Sequence, residues 1–106
     1  MAGKLVPITT PEELRTRKKM TELAQSFPCL RRAAAGIDPF DAKTLDCWAA
    51  SPVSHGERVT GQFILAVWDS STDWQAGRFD LMEALRVWPD SHREPFLKWA
   101  ADPWWP

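Results

Sequence analysis

Two cysteines, two histidines and a spread of serines and carboxylates are the residues through which this chain of 106 residues would do chemistry. Cys29, Cys47, His55 and His92 are the donor types of a zinc site, which needs four such groups to converge tetrahedrally. They fall in four separate segments and form no close ligand pair of the kind zinc modules carry. Ser51 and Ser54 lie near His55, but neighbours in sequence at a helix start do not set a hydroxyl against an imidazole nitrogen, and no nucleophile-elbow pattern surrounds them. Ser54 is better placed to cap a helix. The five glycines are scattered singly, so no glycine-rich phosphate loop is present. Glu12/Glu13 and Asp38/Asp41 fit helix caps and first-turn positions, where carboxylates complement the helix dipole. The inventory points away from catalysis and assigns no catalytic, metal-binding or cofactor-binding residue.

Gly77-Arg78-Phe79-Asp80-Leu81-Met82-Glu83 places glycine, an apolar residue, an acid and a glutamate at the sixth, eighth, ninth and twelfth places of a possible loop. In this it resembles the second half of an EF-hand calcium loop. The resemblance implies oxygen donors at the first, third and fifth places, which here are Thr72, Trp74 and Ala76. A register starting at Asp69 supplies Asp69, Ser71, Asp73 and Asp80, but puts Trp74 where the turn requires glycine. The segment is therefore expected to be a polar loop whose Gly77 and Asp80 lead into a helix.

Seven tryptophans and no tyrosine make the aromatic content the strongest pointer to function. Trp48, Trp68, Trp88 and Trp99 lie in apolar-periodic segments and are expected in the core. Trp74 lies in the polar loop, and Trp104 and Trp105 follow Asp102-Pro103 in the last five residues. These three are the candidate partner-binding residues, because indole anchors dominate interface energetics. Charge supplies the alternative. Residues 1–32 hold seven basic groups against three acidic ones, giving +4, whereas residues 33–106 carry −5. Arg15, Arg17, Lys18, Lys19, Arg31 and Arg32 form the candidate nucleic-acid surface, since phosphate contact needs such a basic stripe.

These residues must be positioned by helices. Thr10-Pro11-Glu12-Glu13 reads as N-cap, first-turn proline and capping box, opening a helix that runs to about Ser26 before Pro28. Its thin apolar stripe is Leu14, Met20, Leu23, Ala24 and Phe27. Pro28 to Ala35 reads as a short helix closed by Gly36, and Asp38-Pro39 as the start of another that ends at Ser51-Pro52. Ser54-His55-Gly56-Glu57 is a second capping box ahead of a helix over 55–68, apolar on most sides and so central. A strand over Val59–Trp68 competes, but its alternation is poor. Phe79, Met82, Leu85 and Trp88 define a helix over 79–88. Ser91-x-x-Glu94 is a third capping box, opening a last helix with Phe96, Leu97, Trp99 and Ala100.

The expectation is an all-α, compact single-domain bundle of five or six short helices over residues 11–106, preceded by an extended lead-in over 1–10. Both cysteines are expected to be free. No apolar run nears the ~20 residues that span a bilayer, and the first residues lack a secretion-signal core, so a cytoplasmic location is expected. The function expected is a non-catalytic interaction or regulatory module that binds a protein partner, or self-associates, through Trp74, Trp104 and Trp105. Nucleic-acid binding through the first helix is the alternative.

Overall fold

The first helix starts where its cap requires. In a computed structural model, which describes residues 10–106, the Thr10 side chain accepts the Glu13 amide at 3.1 Å and Pro11 opens α1 (Pro11–Gln25). Of the expected lead-in, residues 1–9 lie outside those described. Pro28 holds Phe27 extended and starts α2 (Pro28–Ala33). Next come α3 (Ala42–Ala50), α4 (His55–Trp68), α5 (Leu81–Val87) and α6 (Asp90–Ala101). The result is an all-α single-domain bundle of six short helices among the described residues.

The central helix is α4. Its capping box is complete: Ser54 Oγ accepts the Glu57 amide and Glu57 returns a carboxylate oxygen to the Ser54 amide. Val59, Phe63, Ile64, Leu65 and Val67 are buried along it. Gly61 faces α3, where a Cβ would stand 2.8 Å from that of Ala49, so its lack of a side chain sets the spacing of the two helices. Phe63 is the hub of an aromatic cluster, with ring centroids 5.2 Å from Trp99, 5.3 Å from Phe79 and Phe96, and 5.7 Å from Phe27. Several of these pairs are edge-on, the arrangement in which ring quadrupoles attract. Trp88 fills the centre of the cluster, 2% exposed.

Four local expectations are corrected. Helix α2 stops at Ala33, and Gly36, at φ 84°, serves a turn that follows. A Cβ there would meet the Asp41 carbonyl and the Leu45 amide at under 3 Å. Helix α3 is opened by Asp41, which caps Lys43 and Thr44, rather than by Asp38-Pro39. The latter pair sits in a turn that buries Ile37 and Phe40 across a single antiparallel bridge. Asp80 caps α5 at Met82 and Glu83, leaving Phe79 outside the helix and free to reach the aromatic cluster. Helix α6 begins at Asp90, so Ser91 is already helical and its hydroxyl bonds His92 Nδ1 at 3.1 Å. Pro95 consequently lies inside the helix, removing the amide that would have bonded the Ser91 carbonyl.

Burial is also redistributed. Trp48, Trp68 and Trp99 pack on the core half-buried, as do Trp74 and Trp104, and Trp88 alone of the seven is fully enclosed. Leu14, Met82 and Leu97, expected on apolar faces, are exposed. In α1 the buried stripe is Met20, Thr21 and Ala24, in the second half of the helix, whereas Leu14 lies in its exposed start. No helix among the described residues is long and apolar enough to cross a membrane.

Candidate functional site

Two matching stripes face each other across a concavity of the described surface. Lys19, Glu22, Leu23 and Ser26 come from α1, and Pro95, Lys98, Trp99 and Asp102 from the end of α6. Each set follows the i, i+3, i+4, i+7 spacing that puts side chains on one helix face. Between them runs a groove of about 520 Å3, mainly apolar and open to solvent. Leu23, Pro95 and Trp99 supply its apolar lining. Each helix brings one cation and one carboxylate: Lys19 and Glu22, Lys98 and Asp102.

The C-terminal segment completes the site. Trp99 donates its indole N–H to the Trp104 carbonyl at 3.1 Å, folding the residues after α6 back onto the helix. The Trp104 ring then joins the groove lining, half-buried, with Lys19 Nζ 4.3 Å from its centroid. This places an ammonium over an indole face, an attraction of about 0.5–1 kcal/mol at an exposed site. Trp105 rests edge-on against Trp99 with centroids 5.5 Å apart, yet stays 63% exposed. Of the three tryptophans singled out in the sequence, Trp104 and Trp105 thus share one surface. Their partners Lys19, Leu23 and Trp99 were not assigned to it from sequence.

Trp74 lies elsewhere. Its indole N–H is given to the Asp69 carbonyl at 3.0 Å, and its ring lines a separate recess with Gln62, Arg78 and Phe79. The loop that carries it is pinned to α3 by Asp46. This buried carboxylate accepts the amides of Gln75 and Ala76 at 3.0 and 2.8 Å.

The basic residues divide by role. Arg15, Lys18, Lys19, Arg31 and Arg32 are exposed. Arg17 turns inward, donating to the Phe40 carbonyl at 2.7 Å with its guanidinium 5.5 Å from the Trp68 ring centroid. Arg31 donates to the Gln25 carbonyl at 3.2 Å. The six are therefore not one uniform row of solvent-facing cations.

The candidate chemical groups go to other tasks. Asp69 accepts from the hydroxyls of Ser71 and Thr72, which hold its carboxyl below the usual carboxylate range. Glu83, at the twelfth place of the EF-hand-like pattern, lies 2.6 Å from His55 Nε2 and 3.6 Å from Arg86. Ser51 Oγ donates to the Trp48 carbonyl. Among the described residues no three His, Cys, Asp or Glu side chains gather as metal ligands. Cys47 is exposed and free, whereas Cys29 is free and buried beside His92, a pairing that sequence did not suggest. Burial pushes the Cys29 thiol up, away from the thiolate a nucleophile requires. The chain matches no protein-family model, no curated protein and no solved structure.

Proposed function

We propose that this protein is a small non-catalytic interaction module that receives an extended segment of a partner protein in the α1/α6 groove. The observation that carries the reading is Trp105, 63% exposed against Trp99 beside an open apolar groove. An indole left in water next to such a groove has most of its apolar area still to bury, as interface anchors do. The groove volume falls within the range of about 300–1,000 Å3 typical of ligand-holding concavities. Lys19, Lys98, Glu22 and Asp102 give the rim both signs of charge, which favours a segment with apolar anchors and polar flanks over a polyanion. The partner's backbone would lie along the groove, with an apolar side chain between Leu23 and Trp99 and another against Trp105.

The test is selection of displayed peptides on the full chain, followed by binding and NMR of the best sequence. The expected result is movement of the Trp99, Trp104 and Trp105 indole N–H resonances, and binding weaker by about tenfold or more in Trp105→Ala, the scale of a tryptophan hot spot. Undiminished affinity in Trp105→Ala, or shifts confined to Trp74 or to Arg15 and Arg32, would overturn the reading. Sedimentation of the free protein tests the remaining occupant, a second copy: a dimer that Trp105→Ala dissolves would replace the peptide with self-association.

A further inference from the structure

Helices α4 and α6 begin at one recess, lined by Cys29 and Arg32 of α2, Ser54, Gly56 and Glu57 at the head of α4, and Trp88, Pro89 and His92 at the head of α6. His92 is 8% exposed. Its Nε2 accepts the backbone N–H of Cys29 at 3.4 Å, and its Nδ1 bonds the Ser91 hydroxyl. The Phe27 ring lies 6.0 Å from the imidazole. This hydrogen bond joins the first turns of α2 and α6 across 63 residues of sequence.

We propose that His92 is a pH-sensitive latch, closed when its imidazole is neutral and opened by protonation, which parts the first turn of α6 from α2. The reason is the acceptor role of Nε2. An imidazolium has no acceptor nitrogen, so a proton on Nε2 points an N–H at the Cys29 N–H. The charge would also be buried, with Arg32 lining the same recess. The field of α6 opposes it too, because His92 stands in the first helical turn, where the dipole disfavours cations. Glu57 lines the same recess, but its carboxylate is held by the Ser54 amide at 2.9 Å. Asp90, on α6 itself, is exposed and 3.9 Å from Arg93. The Cys29 thiol brings no compensating charge while it remains protonated. Burial and then Arg32 hold the imidazole below its ordinary range, in accord with this geometry.

A histidine neutral in the fold binds its proton more readily in the unfolded chain, so the latch stabilises fully above about pH 6.5 and is lost as pH falls below it. The unfolding constant rises by up to tenfold per pH unit there, the limit for one proton.

The experiment uses the full chain carrying His55→Gln, which leaves His92 as the sole imidazole and alters an exposed pair. NMR follows the His92 ring and the exchange of the Cys29 amide between pH 7.5 and 5. The expected result is a ring midpoint below 6.5, with Cys29 amide protection falling about tenfold or more in parallel. Adding His92→Gln should flatten the pH dependence of stability over that interval. A ring midpoint at or above 6.5, or unchanged Cys29 protection through the titration, would overturn the proposal. Should His92→Gln fail to fold, the ring and amide titrations decide alone.

Discussion

Trp88 donates its indole N–H to Thr60 Oγ1 at 2.8 Å inside the aromatic cluster, and the same hydroxyl donates to the Gly56 carbonyl at 2.7 Å. One threonine thereby satisfies the polar atom of the most enclosed indole. Thr60→Val keeps the shape and removes the acceptor, leaving a buried N–H without a partner. The expected loss is about 1–3 kcal/mol in denaturant unfolding, with Thr60→Ser retaining most of the stability.

Gly61 and Gly56 share helix α4 and should respond oppositely to alanine. Nothing lies within 4 Å of a Cβ at Gly56, whereas at Gly61 it would stand 2.8 Å from Ala49 Cβ. Gly56→Ala should stabilise by up to about 1 kcal/mol through helix propensity. Gly61→Ala should destabilise by about 1–2 kcal/mol, overpacking outweighing that same gain. Thermal unfolding of both variants, of Ala49→Gly and of the Gly61→Ala/Ala49→Gly pair checks this. The pair should lose less than its two single changes together.

Asp46 is the anchor of the Trp74 loop. Removing its carboxylate in Asp46→Ala strands the Gln75 and Ala76 amides, one of them buried. A loss on the order of 2–4 kcal/mol is expected from two charge-assisted bonds. Hydrogen exchange should show both amides losing protection while those of α4 follow only the global change.

Arg17 tests the division of the basic residues. Arg17→Ala should cost about 1–2 kcal/mol, since it breaks a charged hydrogen bond to the Phe40 carbonyl and the contact with Trp68. Arg15→Ala and Lys18→Ala should stay within about 0.5 kcal/mol of the parent, as exposed substitutions usually do. Equal effects from all three in an unfolding assay would show that Arg17 is no more embedded than its neighbours.

Where the signal is local, the sequence is readable. Thr10-Pro11 and the Ser54/Glu57 pair mark their helix starts because cap chemistry acts over three residues. The Asp38–Asp41 segment offers two capping aspartates, and the burial of Ile37 and Phe40 decides for the second. Ser91 and Glu94 have capping-box spacing, but the helix is entered two residues earlier, with Pro89 at the cap position, and Ser91 is drawn to His92. Arg17 was legible in principle: it stands three, four and seven residues before Met20, Thr21 and Ala24, in phase with the buried stripe. The groove carries no such local mark. Lys19 meets Trp104, and Cys29 meets His92, only because helices distant in sequence pack together.

The graded enclosure of the indoles gives the molecule a built-in optical gauge. With no tyrosine present, its near-ultraviolet emission comes from tryptophans whose surroundings run from the sealed interior at Trp88 to water at Trp105. A soluble quencher therefore darkens the outermost ring first and the central one last. Anything seated on the α1/α6 surface would shield the outer rings and shift their emission to the blue, whereas loosening of the interior would expose Trp88 and the half-buried rings and shift theirs to the red. Docking and unfolding thus move one spectrum in opposite directions, and no label is needed to tell them apart.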